Sequence, residues 1–194
     1  MCGRYALVLE QDQEIKILSL IRNTYPTYHL PTGEIWPTNL APILYKANNK
    51  LLITLAVWGF PQSTGKGVLI NARAETASQK KTFRDSFFSH RCVIPSTGFY
   101  EWAQGEKKQK YLFQLPGEDV LYLGGILKIV AGQSQFVILT TQANESVALV
   151  HSRMPLIIPR HVIGDWLSNI DKALAYLQED MPVLQKSPCG SKEG

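Results

Sequence analysis

Residues 91–141 read RCVIPSTGFYEWAQGEKKQKYLFQLPGEDVLYLGGILKIVAGQSQFVILTT, and their apolar stretches are cut repeatedly by Gly, Pro or charged residues. Five strand-like runs stand out: RCVIP, GFYEWAQ, KYLFQL, VLYLGGILKIV and SQFVILTT. Each is rich in β-branched or aromatic residues and is bounded by turn chemistry, which predicts strands joined by short connections. Upstream, APILYKANNKLLITLAVWGF (41–60) predicts a hairpin around the turn residues NNK. Helical spacing is confined to short pieces: about 10–23, a Ser78-capped SQKKTFRDSFFS (78–89), 143–150, 160–168 and 171–179. Many antiparallel strands with a few inserted helices predict an α+β fold, one domain with a strongly curved, mainly antiparallel sheet or barrel-like core and a few flanking helices. That domain is expected over 1–183, with 184–194, including SPCGSKEG, as a disordered tail.

The chain has 194 residues, 45% of them hydrophobic and 19% charged, enough to bury a core and against intrinsic disorder. The opening MCGRYALVLEQDQEIKILSLIRN turns acidic where a signal peptide would stay apolar, and no run has the length of a membrane span. Three cysteines, Cys2, Cys92 and Cys189, are odd in number and far apart, which argues against a disulfide framework and a zinc site. A cytoplasmic protein with no metal and no cofactor is expected. Charge is uneven: residues 1–110 hold 14 Lys/Arg against 8 Asp/Glu, and 111–194 hold 6 against 8. Lys66, Arg73, Lys80, Lys81, Arg84 and Arg91 alternate with Phe83, Phe87 and Phe88, which suits either a nucleic-acid surface or an amphipathic helix with Phe87 and Phe88 in the core.

Four residue groups invite chemistry. Cys2 directly follows Met1, so loss of Met1 would leave an α-amine and a thiol on one residue; the plain alternative is a small buried hydrophobe. LINARAET puts Asn71, Arg73 and Glu75 at alternate positions, on one face if the strand continues, or at a polar strand end. GFYEW sets Glu101 among aromatics, a setting that raises a carboxyl pKa if the side chain points inward and means little if it points out. VHSRMP places His151 where a helix runs out, with Arg153 two residues on; His151 suits a structural role as well as a proton-transfer one.

MCGRY, WGF, NARAET, RCVIPSTGFYEW, KQKYLF and HSRMP occur here in the order and approximate spacing of the SOS-response-associated peptidase family, and the likeness runs from residue 1 to about Trp166. The resemblance implies an abasic-site processing protein, a monomer that loses Met1 in a peptidase step and acts on single-stranded DNA at replication forks. Cys2 would then form a covalent thiazolidine with the ring-opened sugar aldehyde, with lyase-like chemistry at the lesion. The chemistry suits Cys2: an α-amine of pKa about 7.7–8.0 can condense with an aldehyde, and a thiol near 8.5 can close a five-membered ring on the same carbon. By resemblance Asn71 positions Cys2 and the opened sugar, Glu101 shuttles protons, and His151 assists ring opening and reversal. Arg4, Arg73 and Arg153 would contact phosphates or the lesion pocket, and Pro42 and Phe83 would wedge between flanking bases.

The chain departs from the family where QSTGKG (62–67) follows WGFP in place of a stacking tryptophan, where Thr97 replaces a common aspartate, and in its short C-terminal region. Three other functions fit parts of the sequence. A class II glutamine amidotransferase also uses an N-terminal cysteine, as a nucleophile with its own α-amine as base. A binding module without chemistry would rest on the basic 66–91 segment. Sequence-specific proteolysis would rest on the family's name alone.

Overall fold

The computed structural model describes residues 2–8, 19, 21, 23–26, 33–62, 65–105 and 108–189. In chain order the strands begin with β1 (Tyr5–Leu7), β2 (Gly33–Ile35), β3 (Leu40–Ala47), β4 (Lys50–Trp58), β5 (Phe60–Pro61), β6 (Val68–Leu69) and β7 (Asn71–Arg73). After helices Ala74–Ala77 and Lys81–Ser89 come β8 (Arg91–Ser96), β9 (Gly98–Trp102), β10 (Lys110–Gln114), β11 (Leu121–Val130) and β12 (Gln133–Gln142). Helix Glu145–Ala148, β13 (Arg153–Pro155), helices Ile163–Ser168 and Ile170–Tyr176, and β14 (Gln185–Pro188) follow.

The larger sheet runs β11-β8-β3-β4-β12, and β12 pairs again with β11, so five strands close a barrel. Closure removes the unpaired edges that an open sheet would present. The β3–β4 hairpin turns at Asn48 and Asn49, whose φ angles of 50° and 59° are those of the tight turn expected at NNK. Beyond the barrel, β12 continues with β7 on one edge, in parallel, and β13 on the other. The core is aromatic: Trp58 stacks on Phe136 with centroids 6.3 Å apart, and its indole N–H donates to the Ile70 carbonyl at 2.9 Å. Each such buried side chain contributes about 1.5–3 kcal/mol by leaving water.

A second antiparallel sheet, β14-β10-β9-β1-β2, grows from the barrel because β8 runs into β9 across one bend at Thr97. Ser96 fixes the bend. Its buried hydroxyl proton lies between the Gly98 and Ala6 carbonyl oxygens, at 2.7 and 3.0 Å, and its oxygen accepts the Gly98 N–H at 3.1 Å. Thr97, in the place of a common aspartate, accepts the Val8 N–H on its hydroxyl at 3.2 Å.

Several expectations change. Strand β7 stops at Arg73, so Glu75 lies on a helix and not on the face shared by alternate strand residues. Ser78 ends helix Ala74–Ala77 rather than capping the next one, which starts after Lys80. Phe87 is core but Phe88 is exposed, and Arg91 leaves the basic surface. Arg91 is buried, donating to the Phe87, Phe88 and Trp166 carbonyl oxygens at 2.7, 3.1 and 2.6 Å, where a cation meets the negative end of helix Lys81–Ser89. Within the stretch expected as tail, β14 pairs with β10, because the outer edge of β10 has backbone groups that need partners. The fold therefore continues past residue 183, and 190–194 lie outside the described residues. The helix expected over 10–23 lies mostly outside them as well.

Barrel closure has a steric condition at Gly125, which faces Cys92 and Ile138 on its two neighbouring strands. A Cβ there would stand 2.6 Å from Ile94 Cδ1 and 2.8 Å from the Val137 carbonyl oxygen. Gly125→Ala is expected to destabilise the protein by about 1–3 kcal/mol, the usual cost of overpacking. Gly164→Ala, in a helix with open space around its Cα, should be neutral or slightly stabilising. Thermal melts of both variants check this; a Gly125→Ala protein melting with the wild type would contradict it.

Candidate functional site

Pairing with β9 draws the start of the chain into the interior. Tyr5 and Ala6 lie opposite Phe99 and Gly98, and the Tyr100 N–H donates to the Arg4 carbonyl at 2.9 Å. Cys2 is consequently fully buried, with its thiol 3.5 Å from the Arg4 carbonyl oxygen. Asn71, the first residue of β7, donates from Nδ2 to the Cys2 carbonyl at 2.8 Å. Asn71 Oδ1 is buried without a hydrogen-bond partner among the described residues.

Glu101 follows on β9 and is only 3% exposed. Phe99, two residues before it, stacks on Phe113 at 5.2 Å, whereas Tyr100 and Trp102 meet the cations of Lys110 and Arg4. Strand alternation thus turns Glu101 inward and its aromatic neighbours to the other face. Burial raises its carboxyl pKa above the ordinary value, opposed by the positive charges of the amino terminus and His151. The Cys2 thiol is pushed far up by burial and then by the Glu101 charge, so it rests protonated. The Glu101 charge thus acts on the Cys2 thiol, and the His151 charge acts on Glu101.

His151 follows helix Glu145–Ala148, whose Val147 carbonyl accepts its N–H at 3.0 Å. Its Nδ1 lies between the N–H and the carbonyl oxygen of Arg153, at 2.9 and 3.1 Å. A neutral ring accepts from the first there, and a protonated ring donates to the second. The same backbone therefore orients His151 in both protonation states, which suits a group that gains and loses protons.

The structure brings Cys2, Asn71, Glu101 and His151 together, and it separates the expected contact residues by accessibility. Arg73 is exposed and makes no ion pair among the described residues. Arg153 is held by a bidentate pair with Glu75, at 2.5 and 2.8 Å, and also donates to the Thr140 carbonyl, so it is a fixed wall. Arg4 pairs with Glu34 at 2.8 Å and lies on the Trp36 ring. Pro42 and Phe83, expected as wedges, are buried: Pro42 within barrel strand β3 and Phe83 against Phe60. In this structure both therefore pack inside the fold. Sequence reasoning missed Glu34 and Trp36, which meet Arg4, and Lys110, which pairs with Glu34. Their signal was faint: Glu34 and Trp36 lie two residues apart, but Arg4 and Lys110 are distant from them in the chain. Burial would raise Glu34, but hydrogen bonds from Lys110 and Arg4 outweigh it and hold the carboxylate below its usual range. Among the described residues no group of three His, Cys, Asp or Glu side chains is placed to hold a metal, and no helix is long and apolar enough to cross a membrane.

A sequence model of the family described as SOS response associated peptidase (SRAP) matches residues 1–188. The chain is 32% identical to the abasic site processing protein YoqW of Bacillus subtilis, over 92% of this chain and 85% of the relative. It is 27% identical to the abasic site processing protein YedK of Escherichia coli, over 86% and 79%. Among solved structures, a protein of Bacteroides thetaiotaomicron superposes with a TM-score of 0.78 at 20% identity, covering 96% of this chain and 91% of the other. One from Bordetella bronchiseptica gives 0.77 at 21%, covering 98% and 100%.

Burial of Glu101 carries a stability signature. Its raised folded-state pKa means that the unfolded chain releases the proton more easily, so wild-type stability falls as pH rises from the ordinary value of 4.5 through the raised one. Glu101→Gln removes that dependence. The variant is expected to melt close to the wild type in acid and above it near neutrality, with the gap opening across that window. Melting curves at stepped pH read the gap; a constant difference would remove the buried carboxyl as its cause.

Proposed function

Because the chain belongs to the SOS response associated peptidase family, we propose that it processes abasic sites in single-stranded DNA by forming a thiazolidine between Cys2 and the ring-opened sugar. One observation carries this reading: the residue that would bear both amine and thiol is buried and held by a hydrogen bond from Asn71 to its carbonyl. Removal of Met1 leaves the α-amine on Cys2. That amine attacks the aldehyde carbon, a C–N bond forms, and the carbonyl oxygen becomes the hydroxyl of a carbinolamine. Glu101, whose raised pKa keeps a proton available, gives one to the departing hydroxyl and water leaves the imine. Loss of water leaves a protonated imine and an ionised Glu101; the thiol, protonated at rest, then attacks the same carbon, a C–S bond forms, the C=N electron pair returns to the nitrogen, and the thiol proton goes back to Glu101. Aldehyde and aminothiol become thiazolidine and water, with no redox change.

The order of steps follows from the electrostatics. A thiolate beside an ionised Glu101 is disfavoured, so the amine acts first and the thiol acts after the carbon has become an iminium-type electrophile. Asn71 Oδ1, a buried acceptor, suits the α-amine or a sugar hydroxyl. His151, oriented in both protonation states, opens the closed sugar and protonates the leaving nitrogen in reversal. Arg73, exposed at the end of β7, attracts phosphate.

Cys2→Ala is expected to abolish an adduct that survives denaturing electrophoresis after mixing with a single strand containing one abasic site. Cys2→Ser should leave at most a reversible imine, and Glu101→Gln should slow formation by roughly 100-fold or more, the scale of general acid–base groups. His151→Ala should slow capture of a natural abasic site more than capture of an open-chain aldehyde. Loss of the adduct in Cys92→Ala with Cys2 intact, or wild-type rates in both Glu101→Gln and His151→Ala, would overturn the assignment.

A further inference from the structure

Arg4 carries a second structure besides the site. Its guanidinium lies 3.2 Å from the centroid of the Trp36 ring on one side and 5.0 Å from that of Trp102 on another. Trp36 is nonetheless 48% exposed, so a large part of its surface stays open to solvent. It is held in place by backbone. The Trp36 N–H donates to Asn39 Oδ1 at 2.9 Å, and the Asn39 N–H returns to the Trp36 carbonyl at 3.0 Å. Thr38, at a φ of 73°, completes the turn, and its N–H reaches the Trp58 carbonyl at 2.8 Å, which ties the turn to the barrel. Glu34 binds both Arg4 and Lys110, and two cations against one carboxylate leave a net positive charge beneath the ring.

We propose that Trp36 is a stacking platform for an unpaired base next to the lesion, backed by Arg4, which serves as the cation of the stack and not as a phosphate ligand. The inference rests on the functional reading above for the identity of the strand. An aromatic face stacks on any base, and a positive charge behind it favours the adjoining phosphate. Arg4 is two residues from Cys2, and its side chain stands with Trp102 on the face of β9 opposite Glu101, so the platform would take a base beside the lesion and not the lesion itself.

The test is a double-mutant cycle read by fluorescence anisotropy. The probe is a labelled oligothymidylate with one tetrahydrofuran residue, which cannot react, and a second strand has tetrahydrofuran at the neighbouring positions too. Wild-type protein is expected to bind the second strand about tenfold more weakly than the first, within the range set by base–aromatic stacking. Trp36→Leu, which keeps an apolar cover over Arg4, should already bind the first strand about tenfold more weakly and lose little more on the second. Trp36→Phe should retain most of the wild-type preference, and it carries the test if the leucine variant fails to fold. Losses that multiply, or a Trp36→Leu protein that binds the first strand like wild type, would overturn the platform. A protein that forms the covalent adduct without this coupling defeats only the platform. One that shows the coupling but forms no adduct defeats only the functional reading.

Discussion

The pairing of β1 with β9 is the constraint on which the site depends. A residue next to a chain end normally lies at the surface, yet two backbone registers, Tyr5 opposite Phe99 and Ala6 opposite Gly98, carry Cys2 into the interior. Ser96 holds the bend that makes the pairing available, with one hydroxyl serving β1, β8 and β9. The strand that accepts the chain start is also the strand that carries Glu101. Cys2 and Glu101 are thereby positioned by a single ladder, and the hydrogen bond from Asn71 adds a further support from β7.

Burial then sets the chemistry. In low dielectric both the thiol and the carboxyl resist ionisation, and each makes the other's charge more costly. The arginines around it divide the work: Arg153 is tied to Glu75 as framework, Arg4 is stacked and ion-paired, and Arg73 faces solvent.

Much of this was legible in the sequence, and the failures have physical causes. The curved, mainly antiparallel sheet and barrel-like core could be read because strand runs and turn residues alternate from 91 to 141, and the NNK hairpin declared itself by residues tolerant of positive φ. Cys2, Asn71, Glu101 and His151 sit in motifs whose residue types announce chemistry, and the structure brings the four together. That Pro42 and Phe83 pack inside the fold could not be read, because an apolar residue looks the same whether it faces a base or fills a barrel. Phe88 failed for the same reason in reverse. Strand β14 carries the polar sequence QKSP, and its existence depends on the open edge of β10 rather than on any pattern of its own. Glu34 and Trp36, though two residues apart, could not be found, since only the second sheet brings them to Arg4 and brings Lys110 to Glu34.

The central claim is that amine and thiol of one residue, Cys2, both bond to the lesion. Intact mass spectrometry of the purified protein, alone and after mixing with a single strand carrying one abasic site, tests it most directly. The account predicts a protein lacking Met1, an adduct heavier by the strand less one water, and peptide mapping that leaves the sugar on Cys2 with no free thiol there. A strand attached with Met1 still in place, or located on a lysine or on Cys92, would contradict it.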